Sequence, residues 1–266
     1  MSKLLSFFAL AVGAAIFSIP TASAATLTVC SGGGCDYTTI SAAEATASPG
    51  DVISVGGIYS AADETFPLVI DVANLSIVCS GATIGQTNAT GNNTFQLTTS
   101  STISGCGLSN VKLYTQASEY VSGINISGNT AVGTATTTIY FAGQIGYASI
   151  TDNRNLDSIV FNSTSTNVTI SGNTFYGDVF NNSSGILLGM GAATATAVTV
   201  TNNIFESRLT SISGASNLKL IDIFSPSVTF TTNTVRYIEQ EPSAIVSSIW
   251  IQNTGASPTV VVRGNK

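Results

Sequence analysis

Apolar and polar residues alternate in five short stretches of the chain, and each stretch runs into an Asn. They are INISGNTA from Ile124, VTISGNTF from Val168, VTVTNNIF from Val198, VTFTTNTV from Val228 and VVVRGNK from Val260. A period of two is what a β-strand with one buried face writes into a sequence. Val168 and Ile170 are therefore predicted to point inward and Thr169 outward, and Val198/Val200 and Val228/Phe230 repeat the arrangement. Two residues beyond the Asn a large apolar side chain often follows (Phe175, Phe205, Val235), so the chain is expected to turn at the Asn and enter another inward-facing strand.

With Asn153 of the related SITDN, these residues fall at Asn129, Asn153, Asn173, Asn203, Asn233 and Asn265, at intervals of 24, 20, 30, 30 and 32 residues. A strand-rich unit recurring at such intervals predicts a solenoid, in which each repeat buries its apolar face only by stacking on its neighbours. Asn suits a corner because it tolerates the left-handed backbone and hydrogen-bonds locally. Stacked over successive coils, the amides would also bond to one another along the axis. The six Asn residues are thus read as architecture. No amphipathic helical pattern and no linker rich in Pro or charge interrupts the repeats, which predicts a mature chain of one domain, with the β-helix repeats over residues 51–266.

The N-terminal part reads differently. Lys3, the apolar run LLSFFALAVGAAIF and the small-residue motif Ala22-Ser23-Ala24 have the layout of a signal peptide over residues 1–24. The run is shorter than the roughly 20 residues of a membrane-spanning helix, and the expectation is an exported mature chain without a span. Within residues 25–50, TTISAAEATASPGD predicts a short helix: Ser41-x-x-Glu44 fits a capping box, Ile40 a hydrophobic staple, and Pro49-Gly50 the stop. Such a helix would cap the first coil and hide its open strand edges.

Charge narrows the partners. Charged residues make up 8% of the chain and the pI is near 4.4. The eight basic residues less Lys3 leave seven in the mature part, against fourteen acidic ones. Phosphate backbones need clustered Lys and Arg, so nucleic acid is not an expected partner. The four cysteines of an exported chain read as two disulfides, with three pairings open to four residues. Cys30 and Cys35 flank Ser-Gly-Gly-Gly, a spacer that lets close neighbours meet, and Cys79 and Cys106 would then form the second bond. A Cys/His zinc site is not expected, because the chain has no His. Glycosylation sequons occur at Asn74, Asn88, Asn92, Asn125, Asn162, Asn167, Asn181 and Asn182.

The run CDYTTISAAEATASPGDVISVGGIYSAADETFPLVI, followed by the ISGNTF-type phrases, resembles secreted right-handed parallel β-helix proteins of the pectin-lyase-like superfamily. PGDVISVGGIY, Pro49 to Tyr59, is similar to the entry into their first coils. The resemblance implies a right-handed parallel β-helix and leaves the activity open, since such folds carry lyases, hydrolases, esterases, adhesins and structural proteins. The hydrolase branch implies a His-containing motif and Arg-x-Lys, and this chain has neither. The esterase motifs are not found. The lyase branch implies calcium held by several carboxylates. The acids of the coils are Asp152, Asp157, Asp178, Glu206, Asp222, Glu239 and Glu241, with no Asp-x-Asp or Asp-Asp, so a calcium site would have to form between coils.

Counting from each Asn gives one exposed strip. Tyr176, Glu206 and Arg236 lie three residues beyond it, and Asp178 and Arg208 five residues beyond. Stacked in this register, Glu206 would neighbour Arg236 and Asp178 would neighbour Arg208. This is either a small sugar-binding face or a ladder of surface ion pairs, each worth under about 1 kcal/mol. VVVRGNK shows no capping helix, and an open coil face there would accept another subunit by strand addition. The expectation is an extracellular or cell-surface structural or adhesive β-helix, non-catalytic, that assembles with itself into filaments or a layer, or contacts glycans. A polysaccharide lyase and a carbohydrate-binding module are the alternatives.

Overall fold

The computed structural model describes residues 23–57, 59, 64–85, 93–132, 137–178, 188–190, 195–208, 216–239, 245–252 and 259–266. The chain is all-β and forms a parallel β-solenoid. One face is a ten-stranded sheet whose strands follow one another in chain order: Thr26–Val29, Val52–Gly56, Leu75–Ser80, Ser101–Ser104, Tyr120–Ser127, Gln144–Thr151, Ser165–Ser171, Ala195–Thr201, Ser227–Thr231 and Thr259–Arg263. An eight-stranded sheet forms a second face, from Leu68–Ile70 to Ile245–Gln252. Two three-stranded sheets complete it, Thr83–Gly85 with Gly107–Ser109 and Thr130–Ala131, and Thr174–Asp178 with Ile204–Arg208 and Thr234–Glu239. Single parallel bridges, Thr130 to Arg154 and Leu156 to Phe175, link these two small sheets.

Register turns the period-two pattern into columns. Along the ten-stranded sheet the partners run Leu27, Ile53, Ile77, Ile103, Ile126, Ile150, Ile170, Val200, Phe230 and Val262. From Ile53 to Phe230 these side chains are buried to 1% exposure or less. A second column runs Leu75, Ser101, Ile124, Ala148, Val168, Val198, Val228 and Val260. The residues that follow the Asn corners add a third: Phe175 and Phe205 are fully buried with ring centroids 4.6 Å apart, and Val235 is half-buried. A residue shielded on both sides by copies of itself removes almost all its apolar surface from water, which is how a narrow solenoid builds a core.

The N-terminal helix forms over Ile40–Glu44, with Ile40 and Ala43 buried, but not through the expected capping box. Thr39 is the N-cap, extended in backbone, and its Oγ1 accepts from the Ala42 N–H at 3.2 Å. The N–H groups of Ile40 and Ser41 donate to the Glu64 carboxylate at 2.7 and 3.2 Å, and the Tyr59 hydroxyl donates to the same group at 2.7 Å. With those donors already taken by a carboxylate 24 residues away, Glu44 turns outward from the box and accepts from the Asp71 N–H at 3.3 Å. The ten-stranded sheet begins at Thr26, upstream of the boundary at residue 51 that the sequence suggested. The disulfides are Cys30–Cys35 and Cys79–Cys106, with Cα atoms 5.6 and 4.8 Å apart.

Candidate functional site

The six Asn residues form a continuous hydrogen-bonded column at the corners. Asn129 donates its N–H and its Nδ2 to Asn153 Oδ1 at 3.0 and 2.9 Å. Asn153 does the same to Asn173, Asn173 to Asn203, Asn203 to Asn233 and Asn233 to Asn265, all between 2.9 and 3.2 Å. The second Nδ2 hydrogen of each goes back to a strand carbonyl of the preceding coil: Ile103, Ile126, Ile150, Ile170, Val200 and Phe230 in turn. Cys106 N–H completes the first rung by donating to Asn129 Oδ1 at 3.0 Å. From Asn129 to Asn233 these residues are at most 1% exposed. Burial of an amide is costly unless each donor and acceptor finds a partner, and this column supplies them.

One part of the corner differs from expectation. The left-handed residue is not the ladder Asn but the one before it: Gly128, Asp152, Gly172, Asn202, Thr232 and Gly264 all have φ between 55 and 68°. The left-handed residue reverses the chain, and the next residue is thereby free to send its side chain into the corner. Thr232 is the unusual member, since a β-branched residue resists positive φ. Its Oγ1 donates to Asn202 Oδ1 at 2.6 Å, tying two successive corners together.

Beyond the ladder, the strands Thr174–Asp178, Ile204–Arg208 and Thr234–Glu239 pair with Tyr176 beside Glu206, Glu206 beside Arg236, and Asp178 beside Arg208. Tyr176 is 39% exposed, Glu206 half-buried and Arg236 exposed. A slip after Ser207 then places Glu239 beside Arg208. Among the described residues no group of three or more His, Cys, Asp or Glu side chains comes together as a cation site. Asp152 occupies a corner and Asp157 is buried, whereas Glu241 lies outside the described residues. Of the sequon residues, Asn74, Asn162 and Asn167 are exposed and Asn125 is half-buried within Tyr120–Ser127. Asn88, Asn92, Asn181 and Asn182 lie outside the described residues.

Sequence reasoning missed an aromatic pair on the outer side of the eight-stranded sheet. Tyr114 and Tyr140 are register partners with ring planes 6° apart and centroids at 5.9 Å. Lys112 Nζ lies 4.9 and 4.6 Å from the two centroids, within cation–π range. Aligning VKLYT with TTIYF would have found it, but no Asn phrase anchors that alignment.

The N-terminal carboxylates are electrostatically distinct. Asp36 is held below the usual carboxylate range by the Thr28 N–H and hydroxyl, and Asp51 by the N–H groups of Ser48 and Ala25. Glu44 is pushed upward, chiefly by burial and further by the neighbouring Asp71 carboxylate. Compared with family models, curated proteins and solved structures, the chain finds no match. What fold and corners define is a class: a parallel β-solenoid with a buried Asn ladder.

Proposed function

We propose that the protein is an exported structural or adhesive β-solenoid, a right-handed β-helix of the pectin-lyase-like kind, working at or outside the cell surface. The observation that carries this reading is the unbroken ladder from Asn129 to Asn265, in which the corners are given over to self-recognition between coils. Corners, columns and disulfides all serve stiffness. The helix Ile40–Glu44 packs against the strands Thr26–Val29, Val52–Gly56 and Leu68–Ile70, a position suited to capping the first coil.

In this reading the other end is where a second copy stacks. Val260 and Val262 continue the buried columns yet are 40 and 52% exposed, and Trp250 is 43% exposed on the last strand of the eight-stranded sheet. Head-to-tail contacts that do not close generate filaments. Negative-stain microscopy of residues 25–266 across a concentration series tests the proposal. Filaments or sheets are expected, and single short rods at every concentration would remove the assembly step.

A second reading, glycan contact, is favoured by the exposed Tyr176 beside Glu206 and Arg236. Tyr176→Ala would then weaken retention on the cognate glycan, while release of new unsaturated or reducing ends would point to a lyase instead.

A further inference from the structure

We propose that Asp51 is the receptor for the N-terminus that export creates, an ion pair that forms only when the peptide bond between Ala24 and Ala25 has been cut. The proposal rests on the export reading, since the cut is the one that Ala22-Ser23-Ala24 specifies. Hydrolysis of that bond uses one water: the C–N bond breaks, Ala24 leaves as a carboxylate, and the Ala25 nitrogen takes protons to become an ammonium.

The geometry around Ala25 is already that of a docking site. The Ala25 nitrogen lies 2.7 Å from Asp51 Oδ1, and its carbonyl accepts from the Val52 N–H at 2.8 Å. Asp51 Oδ2 accepts from the Ser48 N–H at 2.8 Å, so the carboxylate is fixed from the other side and its Oδ1 faces Ala25. Asp51 is only 6% exposed, whereas Ala24, Ala25 and Thr26 are exposed. The scissile link thus lies at the surface while its receptor is built into the loop between the helix and Val52–Gly56. The residue next to Ala25 opens the first strand of the ten-stranded sheet, so the terminus enters the fold without slack.

Charge gives the second line of support. Between Ala25 and Val111 the sequence has the acids Asp36, Glu44, Asp51, Asp63, Glu64 and Asp71 and no Lys or Arg. The ammonium of Ala25 is therefore the only fixed cation of that whole stretch. Of the described acids, Asp36 holds Thr28 on the same strand, Glu44 and Asp71 lie together beyond the helix, and Glu64 is taken up by the helix N–H groups. Asp51 alone bonds to Ala25. Before the cut it receives one neutral N–H from that residue. That bond is already charge-assisted through the carboxylate; after the cut both partners are ionised and the nitrogen has three donors, so a full ion pair replaces it.

The test is titration of the α-amine in exported, full-length mature protein. N-terminal sequencing comes first, and ATLTVC is expected. The amine is then labelled by reductive methylation over a pH series, in the folded chain and in the same chain unfolded by urea. A free α-amine titrates at about 7.7–8.0. In the folded wild type the midpoint should lie at least about one unit higher, a tenfold lower reactive fraction near pH 7. In Asp51→Asn it should return to the free range. A terminus other than Ala25 overturns the processing and the proposal with it. A terminus at Ala25 with an unshifted midpoint overturns the receptor and leaves export standing. A midpoint raised equally in Asp51→Asn assigns the charge to another carboxylate and overturns Asp51. If that variant does not fold, the folded and urea midpoints of the wild type still decide.

Discussion

Removing a fully buried rung from the middle of the Asn ladder should cost far more than removing the half-buried rung Asn265. Asn203 Oδ1 accepts both the Asn173 N–H, at 2.9 Å, and Asn173 Nδ2, at 3.0 Å. Its own Nδ2 donates to Ile170 O and Asn233 Oδ1 at 2.9 and 3.0 Å. Asn203→Ala therefore strands two donors of Asn173 in a corner where that residue is fully buried. A buried group left without its partner costs about 1–3 kcal/mol, so the two together amount to roughly 2–6 kcal/mol, against a total stability of about 5–15 kcal/mol for a typical domain. Asn265→Ala likewise strands the N–H and Nδ2 of buried Asn233, but Asn265 itself is half-buried, so water entering the space it leaves can take up those donors and the cost should be about 1 kcal/mol.

Denaturant unfolding followed by circular dichroism, with amide exchange at Asn173, measures both variants. Because solenoid stability is close to a sum over neighbouring repeats, Asn203→Ala should also separate the transitions of the coils on its two sides. If Asn203→Ala cost no more than Asn265→Ala, the ladder would be ornamental and the corner held by the backbone alone.

Three further outcomes follow from the same geometry. Replacing Cys79 and Cys106 by Ser opens a link 27 residues apart and should cost about 3–4 kcal/mol, against about 2 kcal/mol for the Cys30–Cys35 pair, 5 apart, as read from denaturation midpoints. Phe205→Ala empties a site stacked at 4.6 Å on Phe175 and should cost about 3–5 kcal/mol in the same assay. On acidification the N-terminal carboxylates act in opposite directions. Asp36 and Asp51, held low, contribute stability above about 3.9 that is lost as pH falls through their folded values. Glu44, held high, is relieved on protonation, so stability should rise slightly as pH falls from neutral toward about 4.3. Melting temperature against pH should show that rise, and Glu44→Gln should abolish it.

Much of the solenoid was legible because two periods coincide: the strand's alternation and the recurrence of Asn. Counting outward from Asn203 and Asn233 sets Glu206 opposite Arg236, and the strands pair in that register. The corner's backbone was not legible, since Gly128, Asp152, Asn202 and Thr232 share no side-chain type, and only their position before the Asn unites them. The helix cap was hidden for another reason. A capping box is a local pattern, while Glu64 reaches the helix from 24 residues away. The pairing of Tyr114 with Tyr140 was likewise out of reach, because neither stands at a countable distance from a ladder Asn.

Every rung of the ladder points the same way: its backbone N–H and one Nδ2 hydrogen face the coil that follows, and its Oδ1 faces the coil that precedes. Side-chain amides aligned head to tail polarise one another and add their dipoles, so the rod has a direction as a bar magnet has. Its two ends are chemically unlike. Toward Asn265 the column turns its donors forward, whereas at its start the first acceptor, Asn129 Oδ1, is already taken by the Cys106 N–H. The corner that closes each coil thus also gives the whole column one sense from start to finish.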